Sequence, residues 1–154
     1  MSGTTIFQPV VALIGWTWVM WLLLYITRFN ALRRLQGFSL RHAVGGAPAA
    51  ADQFLPAEAQ RVAHNYNHLH EQPTLFYALA VVIAYFEHGH GVNTAIAWVY
   101  VGIRIVHSLV QATSNRLVLR LPLFILGSLC LMSLTVHATF YAFGWHAQPI
   151  FALR

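Results

Sequence analysis

Long apolar runs divided by short polar breaks organise this chain. Ile6 to Ile26 carries no charged residue, and about 20 apolar residues suffice to cross a hydrocarbon core of roughly 30 Å. A first transmembrane helix is therefore expected over 6–28, with Pro9 near its start, where a missing N–H does little harm. Arg61 to Pro73 is polar and Thr74 to Phe86 apolar. The two read as one second helix over 57–86, opening after Pro56 and kinked at Pro73 near the membrane boundary. Glu87-His-Gly-His-Gly-Val-Asn93 then breaks the chain, and Asn93 with Thr94 can cap the next helix. A third span is expected over 93–113 and a fourth over 117–143, ended by Gly144 and Pro149. His42 to Pro56, with Gly45, Gly46 and Pro48, reads as a turn-prone surface loop. The expected architecture is one all-α integral membrane domain, a bundle of four transmembrane helices.

The polar residues inside these runs are not scattered. At 3.6 residues per turn, Arg61, His64, Asn65, His68, Glu71 and Gln72 share an arc of roughly 120° on a continuous second helix. Tyr100, Arg104, His107, Ser108, Gln111 and Asn115 share about 100° on the third. An ionisable side chain at bilayer depth costs at least ~2.5 kcal/mol unless it faces the bundle interior and finds a partner. The two stripes are thus expected to face each other, with Glu71 as the carboxylate for Arg104. Trp16, Trp18 and Trp21 read as lipid-facing or packing residues, and His88 and His90 as a solvated pair on the outer loop.

Composition supports a polytopic membrane protein: 58% of the 154 residues are hydrophobic and 8% charged, against about 25% charged in soluble chains. All nine cationic residues are Arg. That choice suits bidentate recognition of carboxylates or phosphates, and high-GC codon usage accounts for it equally well. Arg28, Arg33, Arg34 and Arg41 fall between the first two spans, Arg116 and Arg120 between the last two, and none between the middle two. The positive-inside rule then makes the first and third loops cytoplasmic and places both termini and the middle loop outside, in a bacterial inner membrane with both termini periplasmic. No removable signal peptide is expected, because a basic n-region and a small-residue cleavage site are lacking. Cys130, the single cysteine, excludes a disulfide within the chain and any metal site needing two of its thiolates. It reads as a packing residue.

The run Asn65-Tyr66-x-His68-Leu69-x-Glu71-x-Pro73-x-Leu75-Phe76-Tyr77, with Arg104-x-x-His107 and then Arg116 and Arg120, resembles the MAPEG superfamily, membrane-associated proteins in eicosanoid and glutathione metabolism. The likeness is greatest to its bacterial branch, where an Asn-Leu-x-Glu-x-Pro-x-Leu-Phe-Tyr run is typical. The resemblance implies a homotrimer of four-helix protomers, with active sites between subunits near the cytoplasmic side. Glutathione would be the co-substrate, and a lipophilic small molecule would arrive from the lipid. By the same resemblance Glu71 is the glutathione-contacting glutamate, with Arg61, Asn65 and His68 beside it. Arg104 and His107 are the third-helix Arg-x-x-His, with Gln111 and Arg116 further along the pocket. Arg120 is the arginine that stabilises the thiolate, and Arg28 a first-helix arginine reaching the tripeptide. Three positions depart from the pattern: His68 stands where Asn is expected, Gln111 replaces a tyrosine, and Leu121 puts no hydroxyl beside Arg120.

Glutathione carries two carboxylates and one ammonium, so its pocket needs at least two guanidinium groups and an acid, and Arg pairs with a carboxylate bidentately. Arg61, Arg104, Arg120 and Glu71 form such a set. A free thiol has a pKa near ~8.5, and a neighbouring guanidinium lowers it, so Arg120 is expected to activate the thiol without a protein nucleophile. The expected activity is a glutathione-dependent transferase or peroxidase acting on a lipophilic electrophile or hydroperoxide. Two alternatives stand beside it. One is a non-catalytic membrane subunit or lipid-binding protein, with the Arg and Glu residues as a structural network. The other is a His-rich metal- or haem-associated protein using His64 and His68 at i,i+4, although no second acid cluster completes a coordination sphere and no metal site is expected. No nucleic-acid partner is expected.

Overall fold

The computed structural model describes residues 4–34 and 55–144. Arg41, the Gly45–Gly46 loop and Pro149 lie outside the described residues. The described chain forms five α-helices and no strand: α1 Phe7–Arg34, α2 Ala57–His68, α3 Gln72–Tyr85, α4 Val92–Ala112 and α5 Leu117–Ala142. Of these, α1, α4 and α5, with 28, 21 and 26 residues, are long and apolar enough to cross a membrane. The chain is a multi-pass, all-helical membrane protein. Its outward surface carries large apolar side chains along α1 and α5, among them Val11, Leu22, Val118, Ile125 and Met132, as hydrocarbon contact requires.

The single second helix expected over 57–86 is instead two. α2 stops at His68, Leu69 to Glu71 form a turn, and α3 begins at Gln72. Pro73 is the cause. It lacks the N–H that would bond the Leu69 carbonyl, and its ring clashes with that carbonyl in a continuous helix. At the start of a helix neither defect matters, so the chain restarts with Pro73 in the first turn of α3. The Thr74 N–H and hydroxyl both donate to the Glu71 carbonyl, at 3.2 and 2.6 Å. The 14 residues of α3 rise only ~21 Å, less than the ~30 Å of a bilayer core. A further crossing therefore needs α2 and α3 together.

Leu13 and Met20 of α1, Phe76, Ala80 and Ile83 of α3, Tyr100 and Val101 of α4, and Leu131 and Leu134 of α5 form the apolar core. At one end of the bundle the Gly89 carbonyl accepts from the Ile6 N–H at 2.9 Å and from the Thr5 and Thr94 hydroxyls at 2.9 and 3.0 Å. The start of α1 is thereby pinned to the α3–α4 turn. Asn93, buried at the same end, donates to the His88 carbonyl and the Tyr141 hydroxyl and accepts from His137 Nδ1 at 2.6 Å. His88 is not simply solvated as expected: it is half-buried and lies 4.0 Å, ring to ring, from Tyr141. Arg28, Arg33, Arg34, Arg61, Arg104, Arg116 and Arg120 all lie toward the opposite end of their helices.

Candidate functional site

The polar stripe of α4 is the backbone of the candidate site. Tyr100, Arg104, His107, Ser108 and Gln111 are all buried, as their shared helical face requires. Ser108 is the first junction: its hydroxyl accepts from Asn65 Nδ2 of α2 at 2.7 Å and from Trp16 Nε1 of α1 at 3.0 Å. Three helices are tied through one oxygen. Asn65, expected beside a ligand, is 1% exposed, and its amide nitrogen is committed to Ser108. Trp16 packs as expected, but with a hydrogen-bonding role that its place in an apolar run does not reveal.

Arg104, also 1% exposed, is the second junction. Its Nη2 donates to the His68 carbonyl at 2.9 Å and its Nη1 to Gln72 Oε1 at 3.3 Å. Gln72 Nε2 in turn donates to the Ser128 hydroxyl, which donates to the Phe124 carbonyl, both at 2.8 Å. The expected partnership of Arg104 with Glu71 is not made. The turn at 69–71 swings Glu71 off the stripe, and Arg104 instead meets the C-terminal carbonyl of α2, where the helix dipole concentrates negative charge. In an apolar bundle a freed carbonyl needs such a donor, so Arg104 and the Pro73 break complete each other. Sequence reasoning misses Ser128, whose only signal is a hydroxyl in an otherwise apolar run.

Glu71, with its side chain 66% exposed, accepts from His68 Nδ1 at 2.6 Å. The His68 side chain is only 19% exposed. Its ring lies 5.3 Å from that of His107 and is stacked 5.9 Å from that of Phe124. Arg104, His68 and Arg120 are all near enough to buried His107 to act on it electrostatically. His68, Glu71, Arg104, His107 and Arg120 therefore come together. Arg120 Nη1 donates to Asn115 Oδ1 at 2.7 Å, and Asn115 holds a left-handed backbone, φ 51°, which Asn tolerates better than most residues. Arg116 is exposed at the N-cap of α5. Arg28 and Arg61 are half-buried on α1 and α2.

The Nε–H groups of Arg28, Arg61, Arg104 and Arg120 are buried and have no acceptor among the described residues; the Gln111 Oε1 and the Tyr100 hydroxyl are likewise unpartnered. Six such atoms in so short a chain stand out, because buried polar groups are ordinarily satisfied. No group of three or more His, Cys, Asp or Glu able to hold a metal occurs among the described residues. A cavity of about 250 Å³ lies between α1 and the α2–α3 turn, lined by Trp18, Trp21, Tyr66, His70 and Tyr77 among others. None of the expected site residues lines it.

Comparison with curated proteins and with solved structures found no match. The family model described as MAPEG family matches residues 6–140, from the start of α1 almost to the end of α5 and through both polar stripes. The chain belongs to the MAPEG family.

Proposed function

We propose that this protein is a glutathione-dependent transferase or peroxidase of a bacterial inner membrane. In this reading it works as a homotrimer on a lipophilic electrophile or hydroperoxide at the arginine-bearing end of the bundle. The observation that carries the reading is the set of four buried arginine Nε–H donors with no acceptor among the described residues. A small polyanionic peptide supplies the acceptors they lack, and hydrogen bonds to charged groups are worth ~1.5–3 kcal/mol each. Arg28 and Arg61 take the carboxylates, and the free oxygen of exposed Glu71 takes the ammonium. Arg120 stands by the thiolate, with Arg104 as a fixed positive charge behind it. Membership of a family concerned with glutathione and eicosanoid metabolism supports the same chemistry.

The neutral lock around Arg104 favours a second reading, a non-catalytic subunit whose polar residues only join helices. Titration calorimetry of the purified protein with glutathione separates the two. Heat is expected from the wild type, with affinity falling about 10- to 100-fold in Arg120→Ala, the loss of one charged hydrogen bond. No heat from the wild type would establish the subunit reading.

A further inference from the structure

Among the described residues, His68 is the one imidazole of the site that is bonded to a carboxylate, and the structure gives that bond a role. We infer that His68 and Glu71 form an imidazole–carboxylate pair that takes the proton of the bound thiol. The inference rests on the proposed glutathione site and adds to it the residue that removes the proton.

The geometry fixes the roles of the two ring nitrogens. A carboxylate oxygen 2.6 Å from His68 Nδ1 can only accept, so Nδ1 carries a hydrogen and Nε2 holds the lone pair of the neutral ring. A carboxylate so placed orients the imidazole and stabilises the imidazolium formed when Nε2 is protonated. A solvated i,i+3 pair on a helix surface would serve little purpose and contribute only ~0.2–0.5 kcal/mol. Here the carboxylate is exposed, but the ring packs against Phe124 of α5 and His107 of α4 and is four-fifths enclosed. The chain at that point is a turn closed by Arg104 through the His68 carbonyl, which immobilises the base.

The titratable groups at the ring are Glu71 from its own turn and His107 from α4; Arg104 is bonded to the His68 carbonyl, and Arg104 and Arg120 both act electrostatically on the neighbouring His107. Two guanidinium groups favour a thiolate beside them but accept no proton, and no tyrosine or hydroxyl stands at 111 or 121 to relay one. In the step inferred, the thiol S–H bond breaks and its hydrogen bonds to His68 Nε2. The electron pair stays on sulfur, next to Arg120, and attacks the electrophile. Glu71 acts through His68 and is a positioning residue.

The test is glutathione binding to the detergent-purified protein at mildly alkaline pH. Thiolate is followed by its ultraviolet absorbance, and proton release by calorimetry in two buffers of different ionisation enthalpy. The inference expects bound thiolate with little proton released to the buffer. In His68→Asn, the residue implied at this position by the resemblance, and in His68→Gln, glutathione should still bind. The thiolate signal should fall about tenfold or appear with a full proton released, and turnover of a model aromatic electrophile should fall about 10²-fold, the usual share of a general base. Circular dichroism and gel filtration establish that each variant is folded. Thiolate formed with a full proton released in wild type and variants alike overturns the inference and leaves the proposed function intact. Binding with no thiolate in the wild type also overturns it. Absence of any binding heat overturns the proposed function, and this inference with it.

Discussion

Arg104 shows how a charge is kept inside an apolar bundle without a direct ion pair. Two of its terminal donors are taken by a helix-end carbonyl and a side-chain amide, so its direct contacts are dipoles, with the Glu71 carboxylate acting on it from a distance. Arg104→Ala leaves the His68 carbonyl and Gln72 Oε1 without that donor. Each lost bond to a charged group is worth ~1.5–3 kcal/mol, so a loss of about 3 kcal/mol or more is expected. Unfolding in detergent, followed by circular dichroism, measures it, and an unchanged midpoint would show that the two acceptors readily find other donors. Arg104→Met, which keeps much of the volume, should lose nearly as much. Ser108→Ala tests the neighbouring junction. It leaves buried Asn65 Nδ2 and Trp16 Nε1 with no acceptor, and an unmet buried donor costs ~1–3 kcal/mol; about 2 kcal/mol is expected by the same measurement. Ser108→Ala removes one oxygen and Arg104→Met keeps most of the buried volume of Arg104, so those two losses belong to polar contacts, and any excess of Arg104→Ala over Arg104→Met measures the cavity.

Between elements, the two ends of the α4–α5 pair are fastened by different chemistry. The arginine end uses Gln72 and Ser128, and the other uses Asn93, which bonds His88, Tyr141 and His137 at once. Asn93→Leu breaks all three bonds and leaves His137 facing an apolar group, so a loss of about 2–3 kcal/mol is expected. Tyr141→Phe removes one acceptor while Asn93 keeps the His88 carbonyl, and should cost about 1 kcal/mol or less. Equal losses for the two would show that Asn93 does not act as the hub. Much of this organisation is legible in the sequence where helical period and hydropathy agree. The face of α4 from Tyr100 to Gln111 is apparent because one unbroken helix keeps its phase throughout. The α2–α3 segment is not, because a phase count assumes continuity and Pro73 ends it. Three residues of turn re-aim everything beyond His68, so Glu71 leaves the stripe that a continuous helix would give it. Pro73 signals that a kink exists, but which partner then caps α2 depends on Arg104, 36 residues away. The Asn93 cluster is hidden for a similar reason: Asn93 reads as a local cap, whereas its partners His137 and Tyr141 come from the far end of α5.

For the whole molecule, the separation of charge governs how the bundle should sit in a membrane. The Gly89 carbonyl joins the beginning of α1 to the α3–α4 turn, and Tyr141 joins the end of α5 to the same turn, so these three parts share one end. Every arginine of the described helices lies toward the other. Juxtamembrane arginines resist translocation, so the Thr113–Arg116 connection is expected in the cytoplasm and the Glu87–Gly91 turn outside. Cysteine labelling in intact cells checks this directly. In a Cys130→Ala background, where no native thiol remains, Glu87→Cys and Ser114→Cys each place a thiol at an exposed turn position. A membrane-impermeant maleimide added outside should modify the first and spare the second, and lysis should expose both. The reverse pattern would invert the topology and turn His68, Arg120 and the unaccepted guanidinium donors toward the exterior, where the cytoplasmic glutathione pool cannot reach them. Labelling of both from outside would mean that α4 does not cross at all, which its 21 residues, apolar outer face and buried polar stripe argue against. The topology experiment therefore bears on function as well as on fold, because a thiol-using site must open to the compartment that supplies the thiol.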